Sequence, residues 1–249
     1  MDAKEIKQGR IYSELSHLIR LISPPEEYEE EAAHWCGVLR DKLGQGRHTI
    51  LELGVGGGHN LSHLTFEFDA VAVDISEAML KECRKLNPGV ELHLGDMRSV
   101  RLGKKFAAVL IHDAINYMLN EADLLAAFKT AAAHLNPGGI FITSPERFVE
   151  TLLLPSVEHA THLNGETQLT YVEYTYDPGR KDSTVETIMF YLIHRPGGLR
   201  IEKDRHVTGV FNRETWFRLM EEAGFSVEVR SYKLKNWNRP YELFIGVLR

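Results

Sequence analysis

ILELGVGGGHN, residues 50–60, sets four glycines (Gly54, Gly56, Gly57 and Gly58) directly behind an apolar run that contains one acid, Glu52. Glycine is entropically costly to order, so a cluster of this kind marks backbone that must turn tightly or lie against something. The residues before it, HTILELG, read as a short buried strand, and those after it, HNLSHLTFE, as a helix. Strand, glycine-rich turn and helix is the arrangement with which open α/β sheets bind nucleotide-like ligands at the carboxyl ends of their strands. The helix start adds free N–H groups and positive dipole potential. Asp74 closes the next apolar run, FDAVAVDIS, twenty positions beyond Gly54, where a carboxylate accepts ribose hydroxyls. A dinucleotide fingerprint needs a third glycine at position 59, which is His59, so an NAD-dependent oxidoreductase is the weaker alternative. The pattern present is acid-x-Gly-x-Gly-x-Gly through Glu52, Gly54, Gly56 and Gly58. An acid at the end of a buried strand is costly without a partner, and it suits a ligand with a positive end.

The same rhythm runs outward from this stretch. SEAMLKECRKLN reads as a helix with Ser76 as its N-cap, VELHLGD and KFAAVLIHD as strands, EADLLAAFKTAAAHLN as a helix, and GIFITSP as a fifth strand. Continuous apolar strands alternating with helices predict a mostly parallel sheet covered on both faces. After Pro145 the period changes to two, around turns at Asp177-Pro178-Gly179 and Pro196-Gly197-Gly198, which predicts an antiparallel meander of about three strands. A helix from Asn212 and two strands, SVEVRSYKL and YELFIGVLR, then resume the frame. At the start, Ile11, Leu15, Leu18, Ile19 and Ile22 fall at helical spacing before Pro24-Pro25, and a second helix is expected over about 26–43. The expected division is a helical lid over 1–45, a core over 46–147 and 205–249, and a β insertion over 148–204.

Composition bounds the function. With 43% hydrophobic and 26% charged residues the 249-residue chain suits a soluble globule with a full core. No run of eighteen apolar residues is present, and the charged start lacks a secretory apolar stretch, so a cytoplasmic protein is expected. A net charge of −6 argues against generic nucleic-acid binding. The two cysteines, Cys36 and Cys83, have no paired spacing and suggest neither a disulfide nor zinc. His59 and His63 have zinc-like spacing but no acid between them and no third ligand, so solvated or capping roles are expected and no metal is.

In order and spacing, these stretches resemble the class I S-adenosylmethionine-dependent methyltransferases, whose fold is a Rossmann-like, mostly parallel seven-stranded sheet. The match covers 48–145 and, more loosely, 205–249. ILELGVGGGHN looks like the family's first motif, with Glu52, Gly54, Gly56 and Gly58 at the cofactor's methionine end. AVAVDIS looks like the second, with Asp74 on the ribose and Ile75 against the adenine. LHLGDMRSV is similar to the third, with Asp96 near the adenine amino group and Met97 on the ring. FAAVLIHDAINYM looks like the fourth, with His112 beside the methionine part.

The likeness is nearest to small-molecule N- and O-methyltransferases that carry an N-terminal lid and a β insertion. Their lids commonly hold Tyr-Asp in a YYDxxY context. Here Ile19-Arg20 stand in those places, while Tyr28 matches the later tyrosine. The resemblance implies methyl transfer from S-adenosylmethionine, leaving S-adenosylhomocysteine, by in-line displacement in which the enzyme chiefly positions the reactants. A base is needed only if the acceptor must lose a proton. His112 and Tyr117 are the catalytic candidates, and Tyr12, Tyr28 and Trp237 could wall the acceptor. Expected partners are a small-molecule acceptor, with neither nucleic acid nor membrane, in a monomer or a homodimer formed through the insertion. The alternative to transfer is a module that only binds the cofactor.

Overall fold

A computed structural model of the chain describes residues 6–179, 183–235 and 239–249. In chain order the helices are α1 (Ile19–Ile22), α2 (Glu29–Leu43), α3 (His59–Leu64), α4 (Glu77–Leu86), α5 (Glu121–Ala133) and α6 (Arg213–Glu222). The strands are β1 (Thr49–Leu53), β2 (Asp69–Asp74), β3 (Glu91–Leu94), β4 (Phe106–Ile111), β5 (Leu135–Thr143), β6 (Ser156–Asn164), β7 (Thr167–Tyr176), β8 (Thr184–Arg195), β9 (Gly198–Gly209), β10 (Phe225–Tyr232) and β11 (Tyr241–Leu248).

Seven strands form one sheet in the order β10-β11-β5-β4-β1-β2-β3. Strands β1 to β5 pair in parallel, and β11 returns antiparallel to β5 and β10. The alternation of side chains along each strand decides which face is filled by what. One face packs Ile50, Ala108, Leu110, Ile142 and Ile245 against Trp35 and Leu39 of α2, Leu61 of α3 and Cys83 of α4. The other packs Leu51, Val109, Ile111, Phe141 and Phe244 against Leu124 and Phe128 of α5 and Trp216 of α6. Both cysteines lie unpaired in the first of these layers. Both faces being covered explains the near-continuous apolar strands. Asn120, Ser76 and Asn212 cap α5, α4 and α6 by accepting from the backbone N–H three residues on.

The inserted meander is a four-stranded antiparallel sheet, β6-β7-β8-β9, one strand more than the alternation suggests. The extra strand is β6, whose mostly exposed, polar positions hide it from a hydrophobicity pattern. Strand β9 continues to Gly209, past the boundary expected at 204. The N-terminal segment differs more. Its apolar spacing is right, since Ile11, Leu15, Leu18 and Ile22 pack on Leu169, Met189, Tyr191 and Ile193 of the meander. It is not one helix, however, but short 3-10 turns at Arg10–Tyr12 and Ser16–Leu18 followed by α1. Tertiary hydrogen bonds break it: the Gly9 N–H donates to the Arg205 carbonyl, and the Arg10 and Ile11 N–H groups donate to the Asp204 carboxylate at 2.9 and 2.8 Å. The N-terminal segment thus lies on the meander, and the Tyr12 carbonyl accepts from the Ser76 hydroxyl just past the end of β2.

Candidate active site

The loop after β1 explains its glycines. Gly54 has φ +75°, and a Cβ there would lie 2.3 Å from the Ala114 Cβ and 2.7 Å from the Met97 Cε. Gly56 has φ +55°, yet a Cβ there would meet nothing within 4 Å. The first glycine is needed for packing inside the protein, the second leaves backbone open at the carboxyl edge. Gly58, φ +76°, N-caps α3 beside Cys83 and Asn87, whose amide donates to the Gly58 carbonyl. The Gly56 N–H donates to Asp74 Oδ2 and the Ser76 N–H to Asp74 Oδ1, both at 2.8 Å. The carboxylate therefore ties the glycine loop to the end of β2 and keeps lone pairs facing the edge. Ile75, next to it, is 69% exposed, an apolar surface at the same edge.

Several buried polar atoms here have no protein partner: Glu52 Oε2, His59 Nε2, and both amide atoms of Asn60. All sit on the strand–loop–helix unit that carries the glycines. Burial pushes the Glu52 carboxyl up to about 8, opposed by His112 and assisted by Asp113 and Asp74. A ligand end carrying an ammonium and a carboxylate would satisfy this set, so the donors present fit the methionine part of S-adenosylmethionine. His59 is buried against Tyr28, with ring centroids 5.7 Å apart, and burial lowers it to about 4. It is thus neither the solvated nor the capping histidine expected. His63 bonds the Pro25 carbonyl. Among the described residues no three His, Cys, Asp or Glu side chains gather as a metal site.

His112, at the end of β4, is fixed on every side. Its Nε2 lies 2.8 Å from Glu31 Oε2 of α2, its Nδ1 lies 3.2 Å from Asp113 Oδ2, and the Tyr241 hydroxyl is 3.4 Å from Nε2. Burial works against its charge, but Asp113 and Glu31 outweigh burial and hold its pKa well above the ordinary histidine range. An imidazole that carries both protons has no lone pair with which to accept another. Trp35 and Tyr28 pack on its ring.

Tyr12 of the N-terminal segment and Tyr117 of the turn after β4 come together. Their hydroxyls are 2.7 Å apart, and Tyr117 Oη lies 2.8 Å from Nδ1 of His206 on β9. His206 Nε2 in turn lies 3.2 Å from Asp204 Oδ2. Neither Asp204 nor His206 was among the candidates that the sequence suggested. Asp96 stands apart: Arg98 binds both its oxygens and bridges it to Asp123. Trp237 lies outside the described residues. Beyond Asp113 a small cavity is lined by Ser144, Glu146, Phe148, Arg213, Arg239 and Tyr241. There Arg213 stacks 4.1 Å over Phe148 and bonds Glu242, and Arg239 reaches Glu146 at 3.4 Å.

Comparison with known proteins agrees with this geometry. A methyltransferase domain profile matches residues 50–139, from β1 into β5. The chain is 31% identical over 206 residues to a dTDP-3-amino-3,6-dideoxy-alpha-D-glucopyranose N,N-dimethyltransferase of Streptomyces fradiae, covering 82% of this chain and 79% of that one. It belongs to the class I S-adenosylmethionine-dependent methyltransferases. The crystal structure of DesVI from Streptomyces venezuelae superposes with a TM-score of 0.82 at 28% identity, over 96% of this chain and 98% of that one. CalS10, an amino pentose methyltransferase of Micromonospora echinaspora solved with S-adenosylmethionine bound, superposes with a TM-score of 0.76 at 25% identity over 95% and 96%. The protein is therefore an enzyme that transfers methyl groups from S-adenosylmethionine to a small-molecule acceptor. The oxidoreductase alternative and the binding-only alternative both fall away. Among the described residues no helix is long and apolar enough to cross a membrane.

Proposed function

We propose that this methyltransferase acts on the amino nitrogen of an aminodeoxy sugar linked to a nucleoside diphosphate. The extent of the likeness carries this reading. The relatives named for amino-sugar methylation match over 82% to 95% of the chain, so the likeness extends into the N-terminal segment and the meander, where an acceptor pocket would be built. The local chemistry agrees. Tyr12, Tyr117 and Asp113 offer hydroxyl and carboxylate groups to an amine, and Arg213 and Arg239 in the adjoining cavity, now paired with Glu242 and Glu146, would have to turn from these carboxylates to hold a diphosphate. When bound, S-adenosylmethionine supplies a methyl group on a cationic sulfur. Glu52 would hold its ammonium end, Asp74 would accept the ribose hydroxyls, Gly56 would let it lie on the backbone, and Ile75 with Met97 would face the adenine, while Gly58, packed on Cys83 and Asn87, shapes the loop from inside. Asp96, held by Arg98, would stand near the adenine amino group. The N-terminal segment over 6–45 and the meander, which runs on to Gly209, complete the acceptor side of the core, with Tyr28 closing the methionine end. Two unpaired buried cysteines fit residence in the cytoplasm.

Incubation with S-adenosylmethionine and a panel of dTDP-linked 3-amino and 4-amino deoxysugars tests the reading. Mass spectrometry is expected to find one or two added methyl groups on nitrogen. Transfer only to hydroxyl acceptors such as catechols, or to none of the panel, would refute it.

Glu52 gives the cofactor site a pH dependence. Its carboxyl keeps its proton below about pH 8, and a bound ammonium favours the carboxylate, so binding expels a proton. Affinity for S-adenosylhomocysteine should therefore fall as pH drops below that value, by up to about tenfold per unit. Calorimetry at pH 7 in two buffers of different ionisation heat should register the released proton, and Glu52→Gln should abolish it. Identical heats in both buffers for the unaltered protein would count against the assignment.

A homodimer is the assembly we favour. The meander's outer face carries Val157, Leu163, Tyr174, Leu199 and Ile201, all more than 40% exposed, and Tyr174 stacks on Tyr176 there. Tyr171 instead faces inward against the lid. Such a patch on one sheet face marks an interface. Light scattering should give twice the 28.3 kDa chain mass, and Leu199→Asp with Ile201→Asp should halve it. A monomer in the unaltered protein sinks the proposal.

A further inference from the structure

Nitrogen attacks a methyl group only through a free lone pair, and an alkylamine at neutral pH is mostly protonated. Each transfer also leaves a new ammonium, so adding a second methyl group to one nitrogen requires a proton to leave between the two transfers. His112 does not serve, since Glu31 and Asp113 hold it protonated.

We propose that His206, backed by Asp204, is the terminal acceptor of the proton lost by the acceptor amine, reached through Tyr117 and Tyr12. The inference rests on the amine-acceptor reading above and deepens it. Three close contacts make up the array: hydrogen-bond distances of 2.7 Å from Tyr12 Oη to Tyr117 Oη and 2.8 Å from Tyr117 Oη to His206 Nδ1, then an ion-pair distance of 3.2 Å from His206 Nε2 to Asp204 Oδ2, outside hydrogen-bond geometry. Tyr12 and Tyr117 are half-buried, His206 is buried, and Asp204 has no exposed surface. The array therefore runs from the lid edge of the cleft inward.

The orientation follows from the partners. Asp204 takes two backbone N–H groups from the lid, Arg10 and Ile11, and stays a carboxylate: burial opposes its charge, but His206 and these donors hold its pKa below the usual range. Tyr117 lies at hydrogen-bond distance from Nδ1 and the Asp204 carboxylate lies on the Nε2 side, so the scheme requires the tautomer with its proton on Nε2 and Nδ1 as the acceptor for Tyr117. Burial raises both tyrosines above their ordinary range, so neither stores the charge as tyrosinate. They pass the proton on. As the amine N–C bond forms, the S–C bond breaks and its electron pair stays on sulfur. The amine N–H proton goes to Tyr12 Oη, the Tyr12 proton to Tyr117 Oη, and the Tyr117 proton to His206 Nδ1, which leaves an imidazolium against Asp204. Exchange with solvent after the product leaves returns the proton to water. No oxidant, reductant or metal takes part in these transfers.

The groups facing this array are Asp204 on its own strand, Tyr12 and Tyr117 from the lid and the turn after β4, and Tyr191 from β8. Asp113 and Asp74 lie beyond Tyr12. Thr187 pairs with His206 across β8. The Arg10 guanidinium turns away to Glu202 and the Lys203 carbonyl. An imidazolium at His206 therefore meets carboxylates and hydroxyls, with no cation against it in this set.

Two kinds of measurement test the relay. Nitrogen-15 NMR of the ligand-free protein should find His206 as the Nε2–H tautomer with Nδ1 bare; an Nδ1–H tautomer would overturn the scheme. In turnover with an amino-sugar acceptor, His206→Gln should shift the acid limb of kcat/KM upward in pH and raise the ratio of monomethyl to dimethyl product by at least about tenfold. S-adenosylhomocysteine affinity should stay unchanged, which shows that the fold is intact. Wild-type pH limb and product ratio in a variant that binds S-adenosylhomocysteine normally would overturn the relay while leaving the amine-acceptor function standing. If the unaltered enzyme methylates no amine, both fall together. Should His206→Gln not fold, Tyr117→Phe carries the same expectations and the same refuting result.

Discussion

Replacing Asp74 with alanine is expected to weaken S-adenosylhomocysteine binding by about 1.5–3 kcal/mol, the range for lost hydrogen bonds to a charged group. That corresponds to roughly ten- to two-hundred-fold in Kd. Two effects add. The ribose loses an anionic acceptor, and the glycine loop loses its tie, because the Gly56 and Ser76 N–H groups both donate to this side chain. Asp74→Asn separates them. The amide keeps one acceptor oxygen, but its NH2 group must face either a backbone donor or the ligand's hydroxyls, so a large share of the loss should persist. Titration calorimetry reads both variants. Unchanged affinity in Asp74→Ala would place the ribose elsewhere, and the roles assigned to Gly56 and Ile75 would fall with it.

Residues that sit in contiguous motifs were legible before the fold was known. Glu52, Gly56, Asp74 and His112 all end a parallel strand or open the loop behind it, so topology alone delivers them to one edge of the sheet. What escaped is the part that depends on distant pairing. Asp204 and His206 alternate along β9 and read as ordinary meander residues. Only the register of β9 against β8, and the lid lying on that face, turn them toward Tyr117. A faint signal existed: Glu202, Asp204 and His206 fall on the face whose neighbours on β8 are Met189 and Tyr191, an odd place for charge unless it is partnered. The lid failed for the same reason. Helical spacing from Ile11 to Ile22 was real, yet local propensity lost to Asp204, which draws the Arg10 and Ile11 N–H groups into a tertiary contact. His59 misled because its helix position looked solvent-facing until Tyr28 covered it.

Trp35→Ala should produce the largest loss of stability, about 3–5 kcal/mol, typical of a large buried aromatic truncated in a packed core. Trp35 has no exposed surface, and it joins the lid side of the molecule to the sheet. Its indole N–H donates to the Tyr241 hydroxyl at 2.7 Å, and its ring lies 5.3 Å from His112. The cavity left by alanine therefore opens beside the cluster of His112 with Glu31 and Asp113. His112 would lose its packing against α2, the helix that supplies Glu31, and water would enter between them. Denaturant unfolding followed by fluorescence should show the early midpoint, and cofactor affinity should fall with it. Trp35→Phe divides the effect. It keeps most of the apolar contact and removes only the N–H donor, so its loss should approach the roughly 1 kcal/mol of a single hydrogen bond. If phenylalanine proves as damaging as alanine, the Tyr241–His112–Glu31 network rather than packing anchors α2 to the sheet. If alanine costs little, α2 is not the support of the cofactor site that its contacts describe.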